Sequence, residues 1–162
     1  MPDTVRLHHT LEPVFDAYSK VLILGSFPSV ISRQQEFYYA NPSNRFWPVM
    51  EQLFQETIHD RRQFCLSRHI ALWDVIESCT IHGSSDSTIR DVIPNDIPWL
   101  ISNSNVHTVF TTGAKAASLY KTYIRASLPA VRLPSTSAAN ASMRLNDLVK
   151  EYQCVRNALE TN

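Results

Sequence analysis

Four short runs of mainly apolar residues alternate along the chain with longer amphipathic stretches. The runs lie at residues 21–24, 69–73, 107–111 and 131–133. Runs of this length and composition are typical of strands that are buried on both faces of a parallel sheet. The pattern therefore predicts four strands of one sheet.

The stretches between these runs have the spacing of helices. Residues 44–55 place Phe46, Val49, Met50 and Leu53 on one apolar stripe. Further helices are predicted at residues 114–124 and 140–159, with short helical pieces at residues 89–91 and 97–102. Alternating strands and helices imply an α/β fold, a three-layer αβα sandwich around a central, mostly parallel four-stranded sheet. We expect residues 1–162 to form a single domain of this class.

Small and polar residues follow each predicted strand. The segments are Gly25 to Ser29, Asp74 with residues 83–86 beyond it, Thr111 to Gly113, and Pro134 to Ser137. Ligands of open parallel sheets bind outside the carboxyl ends of the strands. Glycine and small hydroxyl side chains let a ligand approach the backbone closely. The clustering predicts a binding site at this edge of the sheet.

The first segment, Gly25-Ser26-Phe27-Pro28-Ser29, is not a nucleotide-phosphate loop. It has neither the Lys and spacing of a Walker motif nor the three glycines of the dinucleotide fingerprint. Pro28 makes the turn a rigid corner, whose N–H groups can hydrogen-bond a planar base. The alternative is a plain turn from strand to loop.

An aromatic and amide-rich segment, residues 37–47, precedes the first long helix. Tyr38 or Tyr39 can stack on a base from such a loop. Asn44 is a candidate site residue and equally a candidate N-cap of the helix. We expect Phe46 and Trp47 in the core.

The charge distribution bears on the partner. Fifteen Lys and Arg balance fifteen Asp and Glu, and a net charge of zero by itself argues against nucleic acid. The charge is uneven, however, because Lys and Arg outnumber Asp and Glu by seven to three in residues 101–162. This asymmetry suits a protein with one weakly positive face, although an ordinary solvated surface explains it equally well.

Other classes of function receive no support. No apolar run approaches the roughly 20 residues of a membrane span, and the first ten residues lack a signal-peptide pattern. The three cysteines are an odd number and widely spaced, which fits a reducing compartment, and we expect the cytoplasm. Cys and His residues, including the adjacent His8 and His9, lack zinc-ligand spacing.

The ordered set GSFPS, YYANPSNRFW, LWDV with GSSD, TTGAKA and LPSTSAANA resembles the uracil-DNA glycosylase superfamily over roughly residues 8–150. NPSNRFW resembles the mismatch-specific uracil and thymine glycosylases. GSFPS and LPSTS resemble the deoxyinosine, or hypoxanthine, glycosylase branch more closely. The resemblance implies a monofunctional hydrolase that removes a deaminated base, foremost hypoxanthine, from DNA. It implies no metal or organic cofactor, and we expect a monomer.

The resemblance also implies a catalytic residue. Uracil-removing members carry Asn or Asp just after the first glycine of the first motif, where this chain has Ser26 and Phe27. In the hypoxanthine branch an Asn of the NxFW segment takes that role, and the matching residue is Asn44. An amide is a weak base, but its carbonyl can orient the water that attacks a sugar cation.

Further site residues follow from the same resemblance. Tyr39 matches the aromatic residue that stacks on the flipped base, and Thr112 stands where several relatives read the base with Asn. The residues implied in base binding are Gly25, Ser26, Phe27, Pro28, Ser29, Tyr39 and Thr112. The loop implied in gripping the DNA backbone contributes Pro134, Ser135, Thr136, Ser137 and Asn140. A hydroxyl-rich turn before a helix is the alternative for that loop.

Other hypotheses stay open at this point. The base can be uracil or thymine opposite guanine, although Ser26 and Phe27 argue against it. The chain can also be a catalytically silent α/β module that binds nucleotides or damaged DNA. A Rossmann-like small-molecule enzyme lacks its glycine fingerprint. Asp74 and Asp86 are candidate partners of a sugar cation, or else caps and loop anchors.

Overall fold

The computed structural model describes residues 4–82 and 86–161, and their strands form two sheets. The larger sheet contains β2 (Val21–Gly25), β3 (Ile70–Asp74), β6 (Thr108–Thr112) and β7 (Ala130–Leu133). Its strands are all parallel and run in the order β3-β2-β6-β7. The smaller sheet is antiparallel, in the order β1-β4-β5, with β1 (Thr4–His8), β4 (Ile76–His82) and β5 (Arg90–Pro94).

Helices connect the strands of the larger sheet. Those between β2 and β3 are α1 (Val30–Gln35), α2 (Phe46–Phe54) and α3 (Arg61–Ser67). Those around β6 and β7 are α4 (Ile97–Ser102), α5 (Gly113–Tyr123) and α6 (Leu145–Leu159). A short 3-10 turn, Asp86–Thr88, joins β4 to β5. Among the described residues, no helix combines the length and the apolar character needed to cross a membrane.

The core surrounds the middle of the parallel sheet. All residues of β2 and β3 are buried, so both faces of these strands are covered. On the helical side, α2 packs against α6, α5 packs against β6 and β7, and α3 packs against β3. Full burial of each large aliphatic side chain contributes about 1.5–3 kcal/mol, which explains why apolar runs become the central strands. The predicted three-layer αβα sandwich with its four-stranded parallel sheet is confirmed.

Some predicted elements are wrong or shifted. Residues 89–91 are not helical, because Arg90 begins β5 and pairs there with Thr80 of β4. The helix predicted from residue 44 begins at Phe46, and the one predicted from residue 140 begins at Leu145. Residues 83–85 of the predicted polar segment at 83–86 lie outside the described residues. The side chain of Asp86 lies outside them as well.

The chain changes direction between β2 and β6. From β2 it continues to β3 on one side, whereas from β6 it continues to β7 on the other. Neighbouring parallel strands whose connections leave in opposite directions form a crevice at their carboxyl ends, where ligands of such sheets bind. In this protein Gly25 and Thr112 flank that crevice.

Candidate active site

A pocket of about 210 Å³ opens at the carboxyl ends of β2 and β6. It is walled by the turn after β2, the segment before α2, the end of β3 and the loop after β7. Most of the predicted site residues line it: Gly25, Ser26, Phe27, Pro28, Ser29, Tyr39, Asn44, Thr112, Ser135, Thr136 and Ser137. Pro134 and Asn140 do not line it, although they belong to the same loop as Ser135. The structure therefore gathers into one cavity segments that lie far apart in the sequence.

The pocket has a polar inner wall around Gly25. A Cβ atom on Gly25 would lie 2.5 Å from Oδ1 of Asp74 and 3.5 Å from the hydroxyl of Tyr39. The missing side chain is therefore what lets these two polar groups approach the backbone. The Thr112 hydroxyl donates to the carbonyl of Leu24 at 3.3 Å, so Tyr39 donates to Thr112 Oγ1, also at 3.3 Å. The base-reading role of Thr112 remains a prediction.

The ring of Tyr39 forms one side of the pocket. It stacks on Phe46 with centroids 4.0 Å apart and an interplanar angle of 13°. Burial raises the pKa of the Tyr39 phenol, and the Asp74 carboxylate raises it further. The hydroxyl therefore stays protonated and can donate to Thr112. Tyr38 is placed differently, because its ring is buried in the core and its hydroxyl donates to the carbonyl of Glu12 at 2.8 Å.

Asn44 holds the start of α2. Its Oδ1 accepts from the backbone N–H of Phe46 at 2.9 Å, which satisfies a donor that the first helical turn leaves free. The capping alternative for Asn44 is therefore observed, although Arg45 is the residue at the N-cap position. An amide oxygen has two lone pairs, and the helix uses one of them. The other lone pair is available to a water in the pocket, where Asn44 is half-buried.

The turn after β2 is tied to the Tyr39 segment through two serines. The Oγ of Ser29 accepts from the N–H of Ser32 at 3.1 Å, which caps α1, and Ser32 Oγ accepts from the N–H of Ala40 at 3.1 Å. Pro28 has no N–H. The amides of Phe27 and Ser29 donate to no acceptor within residues 4–82 and 86–161. These two amides are therefore available as donors to a ligand.

The loop after β7 is held by Arg45. Its guanidinium donates to the carbonyls of Ser137 at 2.8 Å, Asn140 at 3.0 Å and Met143. Its backbone N–H donates to the carbonyl of Thr136 at 2.9 Å. The side chain of Thr136 is buried, so its hydroxyl is less accessible than those of Ser135 and Ser137. The contacts of this loop with phosphate remain a prediction.

Two further hydrogen bonds hold the loop after β7 in place. Asn140 donates through Nδ2 to the carbonyl of Ser135 at 3.0 Å, and Tyr152 of α6 donates to the carbonyl of Pro134 at 2.6 Å. Pro134 and Asn140 therefore shape the loop rather than line the pocket.

A buried ionisable pair at the pocket was not predicted. Nε2 of His9 lies 2.8 Å from Oδ2 of Asp74, and the two side chains are 2 % and 6 % exposed. The sequence signals Asp74 by its position at the end of a strand, but it gives no sign of its partner 65 residues away. Four further residues line the pocket without having been predicted as site residues: Ser32, Asn41, Ser43 and Ala138.

The chain is similar to several known proteins. A family model described as the uracil DNA glycosylase superfamily matches residues 12–160. A protein of Methanosarcina acetivorans named hypoxanthine DNA glycosylase is 32% identical over 139 residues, which cover 82% of this chain and 88% of the relative. A protein of the same name from Methanosarcina barkeri is 32% identical over 120 residues, which cover 70% of this chain and 75% of the relative.

A solved structure shares the fold. It is a solution NMR structure from Methanosarcina acetivorans that carries the provisional name uracil DNA glycosylase. Its TM-score to this chain is 0.80 at 29% sequence identity, over 96% of this chain and 99% of that chain. The similarity thus extends over both sheets.

Proposed function

The chain belongs to the uracil DNA glycosylase superfamily, and from that membership we propose that it hydrolyses the N-glycosidic bond of a deaminated base in DNA, foremost hypoxanthine. The observation that supports this most is the pocket between β2 and β6, which contains all the residues predicted to bind the base. The choice of hypoxanthine is supported by the 32% identity to two relatives that carry that name.

The first step is extrusion of the nucleotide from the duplex. Unstacking and unpairing cost a few kcal/mol, and less for a base in a weak mismatch than for one in a normal pair. One face of the Tyr39 ring is covered by Phe46. The opposite face is the surface on which the extruded base stacks, a contact that returns about 1–3 kcal/mol.

The second step breaks the bond between C1′ of the sugar and N9 of hypoxanthine. The bonding electron pair leaves with the base, and positive charge develops on the sugar. A water oxygen bonds to C1′ and releases a proton to solvent, and the departing base takes up a proton from solvent. Donors that face the leaving base stabilise its developing negative charge. The free amides of Phe27 and Ser29 are suited to that task.

Asn44 orients the attacking water. Its Oδ1 is held in place by the Phe46 amide and retains a second lone pair for the water. A developing sugar cation needs only a weak nucleophile, so orientation contributes more than base strength does. The step uses no metal and no organic cofactor, and we expect the enzyme to act as a monomer.

The loop after β7 contacts the DNA backbone. Ser135 and Ser137 offer hydroxyls, and loop amides of this kind commonly donate to phosphate oxygens. The excess of Lys and Arg in residues 101–162 favours binding of an anionic partner by this part of the chain. Arg45 keeps the loop in the conformation that presents these groups.

A single-turnover strand-scission assay tests the proposal. Duplexes carry one hypoxanthine, one uracil or no altered base, and alkali converts each abasic product into a break. We expect cleavage at hypoxanthine that falls about 100-fold or more in Asn44→Ala. Asn105→Ala, at an exposed asparagine that does not line the pocket, is the control and retains the Asn44 contact with Phe46.

Two results would redirect the assignment. Preferential cleavage at uracil would make the chain a mismatch-type uracil glycosylase. Tight binding of all duplexes without cleavage would make it a silent DNA-binding module and would overturn the proposed activity.

A further inference from the structure

The buried pair of His9 and Asp74 has a feature that a purely structural ion pair lacks. Oδ2 of Asp74 is bound to His9 at 2.8 Å. Oδ1 lies beside the Cα of Gly25, in the space that a side chain on that residue would fill, and Asp74 lines the pocket. One carboxylate oxygen is therefore anchored inside the protein, and the other belongs to the pocket.

His9 is itself held firmly. Its ring lies 6.1 Å from the rings of both Phe27 and Tyr38, and its backbone N–H donates to the carbonyl of Glu77 at 2.6 Å. A carboxylate has no hydrogen to give, so Nε2 of His9 is the donor of the bond between them. This contact fixes the orientation of the Asp74 carboxyl group.

A fixed carboxylate oxygen distinguishes deaminated bases from their parents by elementary chemistry. Adenine carries a lone pair at N1, whereas hypoxanthine carries N1–H. Cytosine carries a lone pair at N3, whereas uracil carries N3–H. An acceptor in the pocket bonds to the deaminated edge and faces a second acceptor on the parent base. A buried acceptor left without a donor is costly, so this contact discriminates strongly.

We propose that His9 is a positioning residue that holds Oδ1 of Asp74 as an acceptor for the ring N–H of the extruded base, and thereby distinguishes hypoxanthine from adenine and uracil from cytosine. This rests on the proposed function. A carboxylate beside the base does not stabilise a leaving anion, so the contact acts on base binding and selectivity rather than on the maximal rate.

The test compares duplexes carrying hypoxanthine, adenine or purine at one position. Purine has the same ring system, a lone pair at N1 and no substituent that clashes. The variants are His9→Leu, His9→Gln and Asp74→Asn. His8→Leu, at the neighbouring exposed histidine, is the control. Single-turnover rates are measured over a range of enzyme concentrations, and equilibrium binding of each duplex is measured beside them.

For His9→Leu we expect the enzyme concentration that gives half the maximal rate on the hypoxanthine duplex to rise about 10-fold or more. The maximal rate and the binding of the purine duplex should change little. His9→Gln, whose side-chain amide can donate to Oδ2, should recover most of the loss. In Asp74→Asn the amide oxygen is needed to accept from His9, so the NH2 group faces the base and the preference for hypoxanthine over purine should fall.

The proposal is overturned if His9→Leu weakens the binding of all three duplexes equally. It is also overturned if His9→Gln loses as much binding of the hypoxanthine duplex as His9→Leu does. Thermal unfolding of each variant separates a folding defect from a change of selectivity. A wild type that cleaves no duplex would refute the proposed enzyme, but not this pair. In that case a binding preference for hypoxanthine over purine that His9→Leu abolishes would still support it, and equal binding would overturn it.

Discussion

Tyr39 lies flat against Phe46, with ring centroids 4.0 Å apart and ring planes inclined by only 13°. Phe46 is fully buried at the first position of α2, so it is a rigid support for the neighbouring ring. The backbone of Tyr39 has φ = 53°, in the left-handed region that most residues avoid. The surrounding contacts thus hold Tyr39 in a costly conformation, with one ring face toward the core.

The stacking role of Tyr39 can be tested by removing the ring and then only its hydroxyl. Tyr39→Leu loses a contact of about 1–3 kcal/mol, so we expect kcat/KM on hypoxanthine duplexes to fall about 5- to 150-fold. Tyr39→Phe retains the stack and should lose much less. Single-turnover kinetics measure both variants, and equal losses would show that the hydroxyl, not the ring face, matters.

A methyl group at Gly25 should disturb the pocket from inside. In Gly25→Ala the new Cβ would lie 2.5 Å from Oδ1 of Asp74. We expect the free energy of unfolding to fall by about 1–3 kcal/mol, as in other overpacked sites, and the preference for hypoxanthine over purine to weaken. Urea unfolding and competition between the two duplexes measure these effects.

Gly113→Ala is the matched control for Gly25→Ala. The variant is strained because residue 113 has φ = 91° and the new Cβ would lie 3.3 Å from Ser135. The new methyl group does not touch Asp74. It should lose stability and keep the base preference. Equal loss of preference in both variants would contradict the special position of Gly25.

The parallel sheet and the position of the pocket were predictable because their signals are local. Strands buried on both faces are mainly apolar, as β2 is throughout and β3 is up to Asp74. The carboxyl ends of parallel strands share one edge, so the polar residues that follow β2 and β6 were expected to meet. Neither inference required knowledge of contacts between distant residues.

The smaller sheet and the buried pair depend on such contacts. β1 pairs with β4 in a register that sets Thr4 opposite His82, and neither strand has a continuous apolar run. His9 directly follows β1, and the pairing of β1 with β4 places it beside Asp74 at the end of β3. No local pattern in the sequence marks pairings of this kind.

The late start of α6 has a similar origin. The apolar spacing that predicts a helix continues upstream of Leu145, but Arg45 binds the carbonyls of Ser137, Asn140 and Met143. The carbonyls of Ser137 and Asn140 accept from the N–H three residues further on, at 3.0 and 3.4 Å, as in separate turns, and Arg45 holds them in that arrangement. A tertiary contact therefore overrides the local preference.

Arg45→Lys should loosen this loop without changing the charge of the protein. An ammonium group does not reach three carbonyls in the planar geometry of a guanidinium. We expect a loss of about 2–3 kcal/mol in the free energy of unfolding and faster trypsin cleavage after Arg144. The Kd for hypoxanthine duplexes should rise, while its slope against salt concentration stays the same.

Arg132→Lys, at an exposed position on β7, is the control for Arg45→Lys. It should leave stability, proteolysis and affinity unchanged. An unaltered cleavage rate after Arg144 in Arg45→Lys would show that the loop does not depend on the guanidinium.

Alkaline stability reports on the phenol of Tyr39. Burial and the Asp74 carboxylate raise its pKa in the folded protein, whereas an unfolded tyrosine ionises near pH 10. Above about pH 10 the unfolded state therefore binds fewer protons than the folded state does. The free energy of unfolding then falls as pH rises. This group's contribution is complete below that pH and is lost as pH increases, by up to about 1.4 kcal/mol per pH unit. Tyr39→Phe should accordingly give a shallower decline in the free energy of unfolding between about pH 10 and pH 11.5.

Urea unfolding at a series of pH values measures the slope. Thr112→Val removes the same hydrogen bond but retains the phenol, so it should shift the whole curve and leave its slope as in the wild type. Below about pH 9 the difference between wild type and Tyr39→Phe should be constant, because neither state then changes its tyrosine ionisation. Curves for wild type and Tyr39→Phe that stay parallel through the alkaline range would show that this phenol ionises in the fold as it does in the unfolded chain. Tyr39 would then be more exposed to water than its stack on Phe46 and its bond to Thr112 imply.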